Sequence, residues 1–343
     1  MKSKSAILHS LNKPLKIENV TLPEKLDYGQ VLVKLEYSGI CGAQINEIQG
    51  TKGKDKFLPH LLGHEGSGKV IKIGPGVKKV KKNDHVVLHW RQGSGIQSNT
   101  PKYKLKNKII NAGWVTTFNE YAVISENRLT KIPKNFNLKL APLLGCSVTT
   151  AFGVIKNDIS LSAGDSVIIF GLGGVGLNLV QASQMTSAYP IVGVDVQKNK
   201  INLAKKYGLD QGFIFNNLLE KKINKYISNE KFDYAIDTTG NTKVIELCYK
   251  ITKSNGTVVC VGVPSSKNNI SIHSLPLHFK KRITGSHGGD TNPDLDIPKI
   301  IKLIQAKKLN LSKLITHVFN INEINKAIKL VKSGKSGRVL IKF

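Results

Sequence analysis

The feature that most constrains the fold of this chain is a glycine-rich turn at residues 171–176, Gly-Leu-Gly-Gly-Val-Gly. An apolar, β-branched run at 166–170 precedes the turn and is typical of a buried strand. The apolar residues after the turn recur with helical spacing. A strand, a glycine turn and a helix form the context in which such a turn binds a dinucleotide, with its phosphates at the helix N-terminus.

Each glycine of this motif has a specific role to fill. Gly171 permits the tight turn, Gly173 lets the backbone approach a pyrophosphate, and Gly176 lets the helix pack on the strand. Asp195 follows the predicted strand 191–194 and lies 24 positions after Gly171. A carboxylate at about this spacing accepts a hydrogen bond from a ribose 2′-hydroxyl and repels a 2′-phosphate, which predicts NAD as the cofactor. The alternative is an ordinary βαβ turn followed by a surface aspartate.

Length and composition indicate an ordinary globular protein. A chain of 343 residues with 40% hydrophobic residues predicts two domains with packed cores. No apolar run reaches the roughly 18 residues that a membrane span needs, and the N-terminus has no signal-peptide pattern. The four cysteines, at positions 41, 146, 248 and 260, are scattered, which favours metal ligands or core residues over disulfides. We therefore expect a cytoplasmic protein with no membrane contact.

The net charge of +28 raises the question of a nucleic-acid partner. Arginine occurs only at positions 91, 128, 282 and 338, so nearly all of the positive charge is lysine. Base and phosphate recognition favours arginine, and the densest lysine run, at 102–108, contains a single aromatic residue. We expect a lysine-rich solvated surface that steers anionic substrates, and no nucleic-acid partner.

The pattern of apolar residues and turn signals changes along the chain. Up to about residue 147, short apolar runs alternate with turn signals, which predicts a β-rich region. From 148 to 287, strands predicted at 166–170, 191–194, 233–236 and 257–261 alternate with helices, a pattern typical of a doubly wound parallel α/β sheet. The last 56 residues contain predicted helices near 297–307 and 322–332 and a final strand at 338–343.

A possible metal site is spread over three segments of the β-rich region. Cys41, His64 and Cys146 supply two thiolates and an imidazole, which are good zinc ligands that leave a fourth position open. An open zinc can polarise a carbonyl or stabilise an alkoxide. Taken singly, each cysteine also fits a small buried apolar residue and His64 fits a core histidine. Cys248 and Cys260 are assigned to the core.

Several motifs together carry a family resemblance over the whole chain. They are GHE at 63–65, LLGC at 143–146, GLGGVGLN at 171–178, GVD at 193–195, VGVP at 261–264 and SGKSGRVLIKF at 333–343. The chain resembles the zinc-dependent medium-chain alcohol dehydrogenases, particularly the branch of the liver enzymes and the glutathione-dependent formaldehyde dehydrogenases. The resemblance implies a GroES-like catalytic domain at 1–147 and 288–343, and a Rossmann NAD-binding domain at 148–287.

The resemblance also implies an activity and the residues that carry it. It implies hydride transfer between an alcohol or aldehyde substrate and NAD, with catalytic zinc on Cys41, His64 and Cys146 and with Glu65 as an occasional ligand. By the same resemblance, Ala43 and Trp90 occupy substrate-pocket positions, Thr150 occupies a position near the nicotinamide, and Arg338 contacts the pyrophosphate. The cofactor-binding set implied in this way is Thr150, Gly171, Gly173, Gly174, Val175, Gly176, Asp195, Lys200, Val261, Val263 and Arg338.

The chain departs from the family pattern at two places. The stretch 92–114, where many members hold a structural zinc on four cysteines, has no cysteine, and Ser94 stands at the first of these positions. We therefore expect one zinc per subunit. Ala43 replaces the usual hydroxyl of the proton relay, and Gln44 and Asn46 replace an acid and a histidine, so the proton route is altered.

These departures leave two rival functions open. One is an enzyme of the same fold that uses bound NAD in another reaction, as a reductase, an epimerase or a lyase. The other is a non-catalytic nucleotide-binding paralogue. The resemblance further implies a homodimer or homotetramer that pairs through the segment 270–283, at the edge of the nucleotide-binding sheet.

Overall fold

The computed structural model describes residues 1–51, 53–265 and 268–343, which divide into two units. One unit comprises Met1–Thr149 and Asn292–Phe343, and the other comprises Thr150–Thr291.

The strands and helices alternate differently in the two units. The strands are β1 (Lys2–Leu8), β2 (Lys16–Thr21), β3 (Gln30–Ile40), β4 (His60–Leu61), β5 (Gly66–Ile73), β6 (His85–Leu88), β7 (Tyr103–Leu105), β8 (Lys108–Ile110), β9 (Tyr121–Ser125), β10 (Leu129–Ile132), β11 (Val167–Phe170), β12 (Ile191–Asp195), β13 (Gln211–Ile214), β14 (Phe232–Asp237), β15 (Thr252–Cys260), β16 (Arg282–Gly285), β17 (Ile315–Asn320) and β18 (Arg338–Lys342). The helices are α1 (Gly42–Gln49), α2 (Ser147–Gly153), α3 (Gly174–Met185), α4 (Lys198–Lys205), α5 (Leu219–Tyr226), α6 (Thr242–Ile251), α7 (Pro293–Gln305) and α8 (Ile324–Lys332).

The first unit is built on two sheets. One has the order β4-β1-β2-β7-β8, and the other has the order β10-β6-β5-β3-β18-β17 with β9 also paired to β3. Val31, Val33 and Leu35 alternate along β3 and pack into one buried core, as a half-buried strand requires. The C-terminal strand β18 pairs antiparallel with β3, with Val339 opposite Ile40. This pairing brings the end of the chain beside the residue that precedes Cys41.

The second unit contains a six-stranded sheet of order β13-β12-β11-β14-β15-β16, in which every neighbouring pair is parallel. Fully buried side chains of β11, β12 and β15, including Ile168, Val192 and Val258, form its core. The strand order reverses beside β11, so β12 and β14 lie on opposite sides of it. The predicted doubly wound parallel sheet and the β-rich companion region are therefore confirmed.

Sequence analysis overlooked two strands, β13 and β17. Both lie at sheet edges, and neither has a fully buried residue in its span. Without a buried face, such a strand has no apolar pattern to reveal it. Among the described residues, no helix has the length and hydropathy needed to cross a membrane.

Candidate active site

Three chain segments of the first unit bring Cys41, His64 and Cys146 together. Cys41 precedes α1, His64 lies in the loop between β4 and β5, and Cys146 follows a 3₁₀ turn at Ala141–Gly145. Their ligand atoms all lie within 4.8 Å of one another. These groups form a compact set with two sulfur ligands and one nitrogen ligand.

The loop that carries His64 depends on a glycine. Gly63 has φ +90°, and a Cβ atom there would lie 2.3 Å from Oγ1 of Thr117. Nδ1 of His64 contacts the side-chain amide of Gln44. Nε2 is buried and has no hydrogen-bond partner among the described residues. An unpartnered buried nitrogen beside two sulfurs fits a zinc ion, which takes its ligands from such groups.

The two cysteines have opposite proton affinities. The pKa of the Cys41 thiol lies well below its ordinary value, mainly because Cys146 hydrogen-bonds to it and also because His64 lies beside it. The pKa of the Cys146 thiol is raised well above its ordinary value by the same hydrogen bond and by burial. Burial lowers the pKa of His64, but the adjacent Cys41 and the charge of Glu65 raise it more. The lowered pKa of Cys41 favours its thiolate, the form that binds metal.

Glu65 forms a buried ion pair next to this cluster. Its Oε1 pairs with the guanidinium of Arg338, and the Glu65 side chain is fully buried. Gly39 of β3 makes room, because a Cβ atom there would lie 2.4 Å from that oxygen. Burial raises the pKa of Glu65. Burial lowers the pKa of Arg338, but the charges of Glu65 and Cys41 outweigh this effect and raise it overall. The ligand role of Glu65 and the cofactor contact of Arg338 stay predictions.

The second unit has its own pocket, with a volume of about 400 Å³, at the carboxyl ends of its central strands. Parallel sheets bind ligands at this edge, where the strand order reverses. Four predicted residues line the pocket together with two threonines that follow β14: Gly171, Gly173, Asp195, Lys200, Thr238 and Thr239.

The glycines of the turn differ in what surrounds them. Gly171 has φ +87°, and a Cβ atom at Gly176 would lie 1.9 Å from the Gly171 carbonyl oxygen. At Gly173, by contrast, a Cβ atom would meet nothing within 4 Å. The turn is therefore tight where α3 packs on it and open where a pyrophosphate would lie. The pocket thus has the glycine turn and the strand-end acid that a dinucleotide site uses.

Asp195 is held in place by the backbone. Its Oδ2 accepts a hydrogen bond from the amide of Leu172 at 2.8 Å, and its Oδ1 accepts one from the amide of Gln197 at 2.9 Å. These two bonds fix the carboxylate at the end of β12, on the wall of the pocket.

The other predicted cofactor residues are spread over the second unit. Thr150 is its first residue and is buried, and Gly174 and Val175 begin α3. The Val261 amide donates to the carbonyl oxygen of Asp237 at 2.8 Å. Val263 is 51% exposed. None of these five is among the residues that line the pocket described above.

Asp237 is a residue that sequence analysis missed. It ends β14 and is fully buried, and burial raises its pKa. Its carboxylate accepts hydrogen bonds from the amide and hydroxyl of Thr239 at 2.9 and 2.6 Å, and from the amide of Gly240 at 2.9 Å. It thereby shapes the turn that lines the pocket. The position of an acid at the end of a strand next to the glycine turn was the available signal.

The predicted substrate-pocket residues lie in the first unit. Ala43 is in the first turn of α1 and is partly exposed. The carbonyl oxygen of Trp90 accepts a hydrogen bond from Arg128 at 2.9 Å, and the guanidinium of Arg91 lies 5.8 Å from the centre of the Trp90 ring. Arg128 also lies 5.3 Å from the ring of Trp114.

The segment after Trp90 is held by carboxylates. Asp294 of α7 accepts hydrogen bonds from the amide and the hydroxyl of Ser94 at 2.6 and 2.8 Å, and it pairs with Lys79 at 2.6 Å. Glu126 accepts hydrogen bonds from the amides of Ile96 and Lys79, both at 2.8 Å. Ser94, which is predicted to stand at the position of the first family cysteine, is thus anchored by an acid.

Comparisons with known proteins agree with this architecture. A sequence-family model described as "Alcohol dehydrogenase GroES-like domain" matches residues 27–134, and one described as "Zinc-binding dehydrogenase" matches residues 174–306. The class-3 alcohol dehydrogenase of Cereibacter sphaeroides is 28% identical over 381 aligned residues, with 100% of both chains covered. An S-(hydroxymethyl)glutathione dehydrogenase of Escherichia coli is 29% identical over 374, again with 100% of both covered.

A solved structure has the same fold. The alcohol dehydrogenase zinc-binding domain protein of Burkholderia ambifaria superposes with a TM-score of 0.91 at 24% identity, covering 100% of this chain and 99% of that one.

Proposed function

Because the chain belongs to the zinc-dependent medium-chain alcohol dehydrogenases, a family of oxidoreductases, we propose that it transfers a hydride between an alcohol–aldehyde pair and NAD. The observation that carries the proposal is the cluster of Cys41, His64 and Cys146, whose ligand atoms lie within 4.8 Å of one another, together with a buried Nε2 of His64 that has no hydrogen-bond partner among the described residues. The glycine-lined pocket of the second unit supports the cofactor.

The residues of the cluster hold the metal, and the metal when bound supplies a Lewis acid for the substrate oxygen. Cys41 and Cys146 contribute negative charge, and the neutral imidazole of His64 contributes its free nitrogen. Glu65 and Arg338 compensate one another's charge in the buried region beside them. Trp90 and Ala43 are proposed to contact the substrate, and the nicotinamide carries the hydride chemistry.

We propose NAD as the preferred cofactor because of Asp195. Its carboxylate is fixed on the pocket wall, where it can accept a bond from a ribose hydroxyl and repel a phosphate. Lys200 lines the same pocket. The remaining predicted contacts are proposed from the family pattern.

We propose a single zinc per chain. In the described part of the segment 92–114, Ser94 and Ile96 are anchored by Asp294 and Glu126, so the segment has polar anchors in place of metal ligands. Metal analysis of the purified protein should give close to one zinc per subunit, and two tightly held ions would contradict this count.

The test of the activity is a turnover screen of the zinc-loaded protein with NAD. The panel contains simple primary alcohols, aromatic alcohols and S-(hydroxymethyl)glutathione, the compound named for the E. coli relative. Net NADH formation with any of them supports the proposal. NAD that is bound tightly and recycled without net turnover would instead favour an epimerase or a lyase, a reading that Ala43 motivates. Absence of zinc would favour a non-catalytic paralogue.

We propose that two subunits pair along β16. This strand lies at the edge of the six-stranded sheet, and the segment before it exposes large apolar side chains: Leu275, Leu277 and Phe279 at 54%, 40% and 63%. An unpaired edge beside an exposed apolar surface is an aggregation hazard that pairing removes. A monomer in sedimentation at micromolar concentration would refute the pairing.

All four cysteines are unpaired, which supports the proposed cytoplasmic location.

A further inference from the structure

Gln44 lies between two residues of the metal cluster. It is the third residue of α1, and its side chain is buried, with 1% exposure. Its Oε1 accepts a hydrogen bond from the backbone amide of Cys41 at 3.1 Å. Its Nε2 contacts Nδ1 of His64. One amide side chain therefore contacts two of the three residues of the cluster.

This arrangement assigns the proton of a neutral His64 ring. A backbone N–H can only donate, so the Cys41 amide requires the oxygen of Gln44. The NH₂ group then faces His64, where it donates to Nδ1. A neutral imidazole has one donor and one acceptor nitrogen, so an accepting Nδ1 leaves the proton on Nε2. Because Nδ1 is occupied by Gln44 and Nε2 has no hydrogen-bond partner among the described residues, Nε2 is the nitrogen available to a metal held with the two cysteines.

Metal binding requires the other tautomer. A metal binds a nitrogen lone pair, so Nε2 must lose its proton and Nδ1 must carry it. Both groups beside Gln44, the Cys41 amide and Nδ1–H of His64, are then donors. The amide has a single oxygen, so either orientation of it leaves an NH₂ group facing an N–H group. Because Gln44 is buried, water is excluded from this contact.

We propose that Gln44 is a positioning residue that weakens metal retention at this cluster by serving only one of these two donors. A carboxylate in the same place would offer one oxygen to each. The metal is therefore held less tightly than its two sulfurs and one nitrogen would allow. This inference rests on the metal site of the proposed function.

The test compares the zinc-loaded protein with its Gln44→Glu variant. Zinc release into an excess of a chromophoric chelator is expected to be about 10–100-fold slower in the variant, the range typical of partners behind metal ligands. Gln49→Glu is the matched control, because it adds the same charge to the other end of α1. Gln49 is half-buried, so the added charge stays in contact with solvent, and release from this control should stay within about twofold of the unmodified protein.

A second measurement tests the hydrogen bonds themselves. In the zinc-loaded protein, the single oxygen of Gln44 can serve either the Cys41 amide or Nδ1–H of His64, whereas in Gln44→Glu each donor has its own oxygen. Backbone hydrogen exchange at Cys41 should therefore be about tenfold slower in the variant, because its amide no longer competes with His64 for the hydrogen bond. Circular dichroism and thermal unfolding establish that the variant is folded.

Equal release rates for the unmodified protein and a folded Gln44→Glu variant would overturn the inference. Equally slow release from Gln49→Glu would also overturn it, because the effect would then be one of charge. Unchanged backbone hydrogen exchange at Cys41 in Gln44→Glu would also overturn the inference. If the unmodified protein binds no zinc, the proposed function fails, whereas zinc that binds with unchanged release defeats only the role of Gln44.

Discussion

The metal cluster and the nucleotide pocket are assembled in different ways. Cys41, His64 and Cys146 are separated by 23 and 82 positions, and each acts through its side chain. The pocket takes Gly171, Gly173 and Asp195 from one stretch of the chain, in which they lie within 24 positions of each other. In the glycine turn, the pocket wall is formed by the backbone, and the absence of side chains leaves the space open.

Because of this difference, we expect metal content and cofactor affinity to be lost independently. Loss of one of the three side chains of the cluster removes a proposed metal ligand and should leave the pocket of the second unit unchanged. An added methyl group in the glycine turn changes the pocket without altering any sulfur or imidazole. Variants that separate metal content from cofactor affinity therefore test the comparison directly.

The largest effect is expected from His64→Ala or Cys146→Ser. Either change should remove the zinc and lower turnover by about 10³-fold, because metal stabilisation of the substrate oxygen contributes several kcal/mol. Cys260→Ser, outside the cluster, should retain one zinc. Metal analysis, turnover and a fluorescence titration with NADH measure these outcomes. A parallel loss of NADH affinity would break the proposed independence of the two sites.

The next largest effect is expected from Gly176→Ala. Its Cβ atom would lie 1.9 Å from the Gly171 carbonyl oxygen, so α3 must shift. Overpacking of this kind costs about 1–3 kcal/mol, and NADH affinity should fall about tenfold or more. Gly285→Ala is the control, since a Cβ atom there meets nothing within 4 Å. Zinc content should stay unchanged in both variants. Unaltered NADH binding by Gly176→Ala would contradict the role of the turn.

Asp195→Ala should change which cofactor the pocket selects. The variant loses one charged hydrogen-bond acceptor and one repulsive charge, so the preference for NAD over NADP should fall about tenfold or more. Asp210→Ala is the control, because that carboxylate also binds a β12 amide, at Ile191, at 2.7 Å. The ratio of kcat/KM values with the two cofactors is the measurement. Equal kcat/KM values with NAD and NADP in the unmodified protein would contradict the assignment of NAD as the preferred cofactor.

Asp294→Asn should alter how stability depends on pH. Burial raises the pKa of Asp294, but Lys79, Thr130 and Ser94 lower it more. A carboxyl whose folded pKa is depressed stabilises the protein above its unfolded pKa of about 3.9, and this contribution is lost as pH falls through the folded value. The variant should lose about 1–2 kcal/mol of stability at pH 7 and less at pH 3. Denaturant titrations at both pH values check this, and an equal loss at both would contradict it.

The smallest effect is expected from Ala43→Ser. A positioned proton-transfer group typically contributes about 10²–10⁴-fold, but Gln44 and Asn46 would still not complete the route. We expect a gain of about twofold in oxidation of a simple primary alcohol, largest at low pH, where deprotonation limits the rate. pH–rate profiles for a simple alcohol and for the best substrate of the screen measure it. A uniform loss on every substrate would show that Ala43 provides space.

Sequence analysis predicted the central strands well because their burial is continuous. Strands predicted at 166–170 and 191–194 correspond to β11 and β12, whose residues are all buried. It overlooked β13 and β17, whose exposure at sheet edges removes the pattern. The spacing of Cys41, His64 and Cys146 alone could not establish a shared site, since those residues are close only in space.

The parallel sheet, the glycine turn with its acid, and the types of ligand available could be predicted from the sequence, because these depend on local periodicity and residue identity. Which groups meet follows only from the tertiary structure. It paired Glu65 with Arg338, which are 273 positions apart, and it placed the amide of Gln44 between Cys41 and His64. Such contacts depend on how loops from separate strands pack together, and no short-range pattern in the chain records that geometry.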